Sequence, residues 1–180
     1  YLSKNNYNFK RIRLINTIFP NAIILIIYRD PLQQAYSLLK THIHFCNMQK
    51  KEKFFLDYMN FLGHKEFGLN YNARNLPLNY TDPLSANHWL EQWYLFYKDI
   101  VENIEKEKNV VLISYDELCK TPDIVEKLIK KIDLNPKNDK NFFKLSLKKF
   151  ENDYDKTTLV KCLEIYELMK NSSKNINNYN

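Results

Sequence analysis

Glycine is almost absent from this chain: of 180 residues, only Gly63 and Gly68 are glycine. A Walker-type or dinucleotide-binding loop needs several glycines close together, so neither is encoded within this sequence. Cysteine is sparse as well, with Cys46, Cys119 and Cys162 far apart. No CxxC or Cys/His spacing suggests zinc, so no metal is expected. An odd, scattered count argues against a disulfide framework and for a reducing compartment. Long apolar runs are missing too. The longest, "AIILIIY", is too short to span a bilayer, and no signal-peptide pattern is visible. The chain opens on Tyr1 without an initiator Met, and it is read as a piece of a longer protein that lacks its natural beginning.

What is present reads as globular. Hydrophobic residues make up 44% and aromatic residues 14%, too much for a disordered chain, and the length suits one domain with a real core. The formal net charge of +6 fits an anionic ligand. Basic and acidic residues interleave in "ENIEKEK" and "VEKLIKK", however, the pattern of solvated helix faces, so the charge is discounted as a clue.

Periodicity supplies the map. Phe9, Ile12, Ile15 and Phe19 follow near-helical spacing, and Pro20–Asn21 ends that helix. Ala22 to Tyr28 is an unbroken apolar strand, expected to be buried on both faces as in a parallel sheet. Asp30 is a good N-cap and Pro31 a good first helical residue, with a helix to about Phe45. "KEKFFLDYMNFLG" is a second amphipathic helix. Residues 63–83 read as a long irregular loop, a type that is often functional. From Ser85 to about Lys106 a helix carries Trp89, Trp93, Phe96, Ile100 and Ile104 in one stripe. "NVVLIS" is the second buried strand. Thr121 caps a helix that begins at Pro122 and runs to Ile132. Residues 137–149 form a basic loop or a ragged helix, and "TTLVKCLEIYELMK" is the last helix. The expected organisation is one α/β domain over 1–170 and a polar tail, 171–180, that frays.

Strand, helices, strand, helix is the order of an α/β protein with a parallel sheet flanked by helices. Ligands of such sheets sit beyond the carboxyl ends of the strands. Arg29 stands there for the first strand, Ser114 and Tyr115 for the second. A guanidinium suits bidentate capture of a phosphate, and Ser37, at the seventh helical position, can grip the same anion. Arg29 as an ion-pair partner of a carboxylate is the plainer alternative.

The segment "FPNAIILIIYRDPLQQAYSLLK" resembles the 3′-phosphate-binding segment of the PAPS-dependent sulfotransferases, where a strand ends in Arg and a helical Ser follows eight residues later, as Ser37 follows Arg29. "KNNYNFKRIRLINTIFPNA" resembles the Lys-x-Pro element and helix that precede this strand in bacterial and Golgi-type members, with Asn6 in the place of the Pro. "HWLEQWYLFY" is similar to the family's Trp-rich helix, and "NVVLISYDELCKTPDIVEKLIKKIDL" to its Tyr-Glu-Asp-Leu strand–helix unit. The resemblance covers about residues 4 to 170 in order. The family's 5′-phosphosulfate loop lies upstream of all these segments, and nothing like it stands in this sequence.

The resemblance implies a P-loop-NTPase-like fold, here N-terminally incomplete. It implies PAPS as co-substrate without a metal, and transfer of a sulfuryl group to a hydroxyl or amine acceptor such as a carbohydrate. Arg29 and Ser37 would hold the 3′-phosphate. Tyr115 would sit beside the adenine, or be a core tyrosine that ends a strand. Lys4, at the Lys of the Lys-x-Pro element, would face the sulfonate or acceptor, or be a solvated lysine. His64 and Glu66, in the long loop, are candidate bases. The lysines of 137–149 fall where the family often closes a basic loop over the nucleotide, or most of them belong to a solvated loop. His42, His44 and His88 are read as structural. A cytoplasmic location is expected, or the Golgi lumen if an anchor precedes this segment. Two other readings stay open: a catalytically inactive relative that binds nucleotide or a partner, and a basic nucleic-acid-binding protein. The second needs its aromatics exposed beside its lysines, whereas here they follow core-like helical spacing.

Overall fold

The computed structural model describes residues 3–4, 8–73, 76–104, 106–107, 109–132, 143–145, 150 and 153–178. The basic stretch 137–149 lies outside them except for Phe143, Lys144 and Leu145. Among the described residues the protein is mixed α/β, with seven α-helices and a two-stranded parallel sheet. The chain divides into two compact units. One comprises Tyr1–Asp30, Tyr97–Leu147 and Glu164–Asn180; the other comprises Pro31–Phe96 and Lys148–Leu163.

In the first unit a 3-10 turn (Asn8–Arg11) leads into α1 (Ile12–Ile18), then β1 (Ile24–Tyr28). β2 (Val110–Ser114) pairs with β1 in parallel, from Ile24 opposite Val110 to Tyr28 opposite Ser114. The ladder starts where Asn109 adopts φ 59°, a left-handed conformation that Asn tolerates better than most residues. There its carbonyl accepts from Ile24 N (2.8 Å) and its side-chain amide donates to the Pro20 carbonyl (2.5 Å).

β2 is buried at every position, as its unbroken apolar run predicts. β1 is not: Leu25 and Ile27 are exposed and alternate with better-covered neighbours. The expectation of burial on both faces therefore fails for β1. In a parallel ladder, paired residues share a face, so Leu25 and Ile27 lie beside Val111 and Ile113. The core that covers that face gathers Leu118, Ile124 and Ile176 around Val111 and Ile113. It stops short of β1.

Two helices follow β2 directly. Ser114 caps α5 (Tyr115–Lys120), accepting from Glu117 N at 3.3 Å. Asp116 and Glu117 stand in the first turn, where acidic groups complement the helix dipole. α6 (Pro122–Lys131) begins at Pro122 as expected. Thr121 occupies its N-cap position, but its side chain makes no capping bond.

The expected fraying of 171–180 is overturned at residues 174–176. Leu112 N donates to the Lys174 carbonyl (2.8 Å) and Ile176 N donates to the Leu112 carbonyl (3.0 Å), forming a parallel bridge at Asn175. Asn175 and Ile176 are buried. Composition misleads here because the backbone, which every sequence carries, does the pairing. β2 is thus hydrogen-bonded along both edges.

The second unit is helical. It contains α2 (Pro31–Lys51), α3 (Lys53–Phe61), the beginning of α4 (Ala86–Ile104) and the beginning of α7 (Lys156–Asn171). α2 runs past the expected end at Phe45. Its core holds Trp89, Leu90, Trp93 and Cys162, so the two tryptophans of α4 are interior side chains. The Cys162 thiol donates to the Leu90 carbonyl (3.5 Å), and burial pushes it up to about 12.

Gly68 is where this unit needs glycine. Its φ is +92°, and a Cβ there would lie 2.3 Å from Gln49 Oε1. That amide oxygen is already held by Leu69 N (2.7 Å), so it cannot withdraw without losing a bond. Gly63, at φ +70°, has open space around it. Gly68→Ala is expected to destabilise by about 1–3 kcal/mol, and Gly63→Ala by about 1 kcal/mol or less. Urea unfolding of both variants checks the order; equal losses would contradict the packing at Gly68.

Candidate functional site

The carboxyl ends of β1 and β2 bring several polar and aromatic groups together within the first unit. Arg29 follows β1 directly, and its guanidinium carbon lies 5.1 Å from the centre of the Tyr115 ring. A cation over an aromatic face is worth about 0.5–1 kcal/mol at a partly exposed site, and it restricts a side chain that otherwise samples many rotamers. Tyr115 is the first residue of α5 and not a strand end. Its hydroxyl donates to the Lys144 carbonyl (3.2 Å), and its ring meets Phe143 edge-on at 6.5 Å. A hydrogen bond with Cys119, then burial, raises its pKa.

Behind this pair lies a polar support. Asp30 N donates to Asp116 Oδ2 at 3.0 Å, and the Tyr166 hydroxyl donates to the same oxygen at 3.3 Å. Tyr28 is fully buried and packs edge-on against Tyr166, ring centres 5.5 Å apart. Asn175 donates to the Tyr28 hydroxyl at 2.8 Å. Burial first raises both phenols, Tyr166 to about 12, so both remain neutral donors and acceptors at any physiological pH. The "YRD" step of the chain is therefore positioned on both sides: Tyr28 by Asn175, and the Asp30 amide by Asp116.

Asp116 and Asn175 were not singled out by sequence reasoning. A signal existed for the first. Ser114 and Glu117 have capping-box spacing, which places a short helix, and hence Asp116, at the strand mouth. Nothing in the sequence ties Asn175 to Tyr28.

Of the other expected residues, Lys4 belongs to the first unit and Ser37, His64 and Glu66 to the second. Ser37 lies in the second unit on α2, where its carbonyl accepts from Thr41 Oγ1 (2.9 Å). Lys4 is exposed and outside any helix or strand. His64 Nδ1 and Glu66 Oε2 come within 3.4 Å of each other, with the imidazole well exposed. That puts a carboxylate beside an imidazole, a geometry that can orient a general base. Nearby, Asn60, Lys65, Asn70, Tyr71 and Asn72 line an open polar cleft of about 470 Å³. Among the described residues no group of three His, Cys, Asp or Glu side chains is placed to hold a metal ion.

The described residues of the 63–83 loop lie outside helices and strands but are tied down. Buried Glu91 accepts from Asn79 N (2.8 Å), the Asn79 amide (2.6 Å) and Tyr80 N (2.9 Å). Trp89 Nε1 donates to the Pro83 carbonyl (2.9 Å). Two buried histidines complete the attachment. His88 Nδ1 donates to the Tyr80 carbonyl (2.7 Å), which leaves Nε2 to accept from the Tyr71 hydroxyl (2.6 Å). His42 Nδ1 accepts from Gly68 N (3.3 Å), which puts its proton on Nε2, facing Cys46 Sγ at 3.5 Å. A backbone N–H can only donate, so His42, which accepts from Gly68, is neutral. The structural role of both histidines agrees with the sequence reading, although His42 closes a loop and does not end a helix.

Burial lowers the pKa of both, and for His42 the neighbouring His88 adds to the shift while Asp82 opposes it. The unfolded chain, with ordinary imidazoles near 6.5, takes up more protons than the fold as pH falls below that value. Stability is therefore full above about pH 6.5 and declines as pH falls below it. The urea midpoint is expected to be lower at pH 5.5 than at pH 7.5. Equal midpoints would contradict the neutral histidines.

Comparisons with protein-family models, with curated proteins and with solved structures return no match.

Proposed function

We propose that this chain is the nucleotide-holding part of a PAPS-dependent sulfotransferase with a P-loop-NTPase-like fold. The reading is carried by one observation: Arg29 follows the carboxyl end of a parallel strand, its guanidinium laid over Tyr115, the first residue of the helix that follows the neighbouring strand. That is the edge where α/β sheets hold anionic ligands. The motif order found in the sequence supplies the identity of the ligand.

Sulfuryl transfer needs an acceptor hydroxyl in line with the sulfur, cationic neutralisation of the leaving phosphate oxygen, and removal of one proton. Arg29 reads the 3′-phosphate with its planar fork, and Ser37 is the second ligand that the resemblance assigns to that phosphate. Tyr115 offers the adenine an aromatic neighbour. Lys4 is assigned to the sulfonate. The proton goes to His64 or Glu66, with the carboxylate orienting the imidazole. Asn60, Asn70 and Asn72 pair donors with acceptors, the chemistry that a polyhydroxylated acceptor such as a carbohydrate requires.

Transfer of a radiolabelled sulfuryl group from PAPS to a panel of hydroxylated acceptors tests the reading. Labelled product supports the enzyme. Nucleotide binding without transfer selects the inactive, nucleotide-binding relative. Failure to bind adenosine 3′,5′-bisphosphate overturns both.

A further inference from the structure

The helix α3 is apolar on two opposite sides. Phe55, Leu56 and Met59 are partly covered, and Met59 Sδ accepts from the Gln49 amide (3.0 Å). The far side carries Phe54, Tyr58 and Phe61, spaced four and three residues apart, which aligns them in one stripe. They are exposed by 68%, 51% and 85%. The Phe54 and Tyr58 rings stack on each other at 5.8 Å. On an ordinary surface helix this arc is polar; here the polar residues Lys53, Asp57 and Asn60 occupy only one flank.

Charge surrounds the stripe. Lys50, Lys51 and Lys53 are exposed immediately before it, and Lys65 is exposed just after it. Over the same span the acidic residues are Glu52 and Asp57, and Asp57 is paired with Lys53 at 2.6 Å. We propose that this stripe is a membrane-contact surface: its three rings enter the headgroup–acyl boundary of an anionic bilayer while the flanking lysines meet lipid phosphates.

Three features select lipid as the occupant. Phe61, at 85% exposed, protrudes, whereas the apolar anchors of protein interfaces pack in pockets. The stripe is aromatic and not aliphatic, and aromatic rings favour the interfacial region. Its rim is cationic, complementary to anionic headgroups. No helix among the described residues is long and apolar enough to cross a membrane, so the contact made here lies in the plane of the surface. A helix of this length binds weakly and reversibly, and its binding depends on salt.

Co-sedimentation of the whole chain with phosphatidylcholine vesicles, with and without phosphatidylserine, tests the proposal. Several-fold greater binding to the anionic vesicles is expected, falling as salt is added. The double variant Phe54→Ser/Phe61→Ser is expected to lose binding by roughly tenfold or more while keeping the parent's urea midpoint, because both rings are exposed. Lys50→Glu/Lys51→Glu is expected to abolish the preference for anionic lipid. Absence of vesicle binding, or binding unchanged in the ring variant, would overturn the proposal. So would sedimentation equilibrium that shows the parent dimeric and the ring variant monomeric, which would assign the stripe to a second copy of the chain.

Discussion

Ending the chain after Ser172 is expected to unfold the first unit, although the residues removed look dispensable by composition. The deletion takes away the carbonyl of Lys174 and the amide of Ile176, which complete the hydrogen bonding of Leu112 in the middle of β2. It also removes the buried Ile176 side chain from the cluster of Val111, Ile113, Leu118 and Ile124, and Asn175 from the buried Tyr28 hydroxyl. Loss of a buried Ile costs about 2–5 kcal/mol. Each buried polar group left without a partner costs about 1–3 kcal/mol. Together these losses rival the 5–15 kcal/mol that holds a typical domain folded. Point variants separate the contributions: Ile176→Ala is expected to lose about 2–5 kcal/mol, and Asn175→Ala about 1–3 kcal/mol. Thermal unfolding followed by circular dichroism reads all three. A deletion variant that melts like the parent would contradict the edge-bridging role of 174–176.

The second large effect is on binding. Arg29→Ala is expected to weaken adenosine 3′,5′-bisphosphate binding by roughly tenfold or more. A charge-assisted hydrogen bond from a positioned group contributes about 1.5–3 kcal/mol. The contact with Tyr115 limits the entropy that Arg29 loses on binding. Arg29→Lys is expected to be nearly as harmful, because one ammonium cannot reproduce the planar fork. Lys144 is exposed, and an exposed pairing contributes about 0–1 kcal/mol, so Lys144→Ala is expected to matter far less. Far-ultraviolet circular dichroism establishes that each variant stays folded. Equal effects of Arg29→Ala and Lys144→Ala would reduce Arg29 to one cation among many.

Both strands, their parallel relation and the start of α2 at Pro31 were legible in the sequence. Unbroken apolar runs and proline at a helix start are local signals with direct physical causes. The exposure of Leu25 and Ile27 was not legible, because it depends on how far the helices after β2 extend over the sheet. The burial of Asn175 and Ile176 was hidden behind a polar composition, since main-chain pairing leaves no trace in side-chain pattern. The site followed the same division. Arg29 and Tyr115 could be placed just past the two strands from their positions alone. Their mutual contact, and the links from Asp116 to Asp30 and Tyr166, join residues dozens of positions apart. The His42 bond to Gly68 spans 26 residues and those of His88 to Tyr80 and Tyr71 span 8 and 17, and none corresponds to a linear motif.

The measurement closest to the central claim compares two nucleotides by titration calorimetry on the same preparation. Adenosine 3′,5′-bisphosphate and adenosine 5′-phosphate share base, ribose and 5′-phosphate, so their difference isolates the 3′-phosphate assigned to Arg29. The expected result is tighter binding of the bisphosphate by roughly tenfold or more, with the preference lost in Arg29→Ala. Equal affinities for the two nucleotides in the parent protein would contradict it and leave Arg29 a structural cation at a strand end.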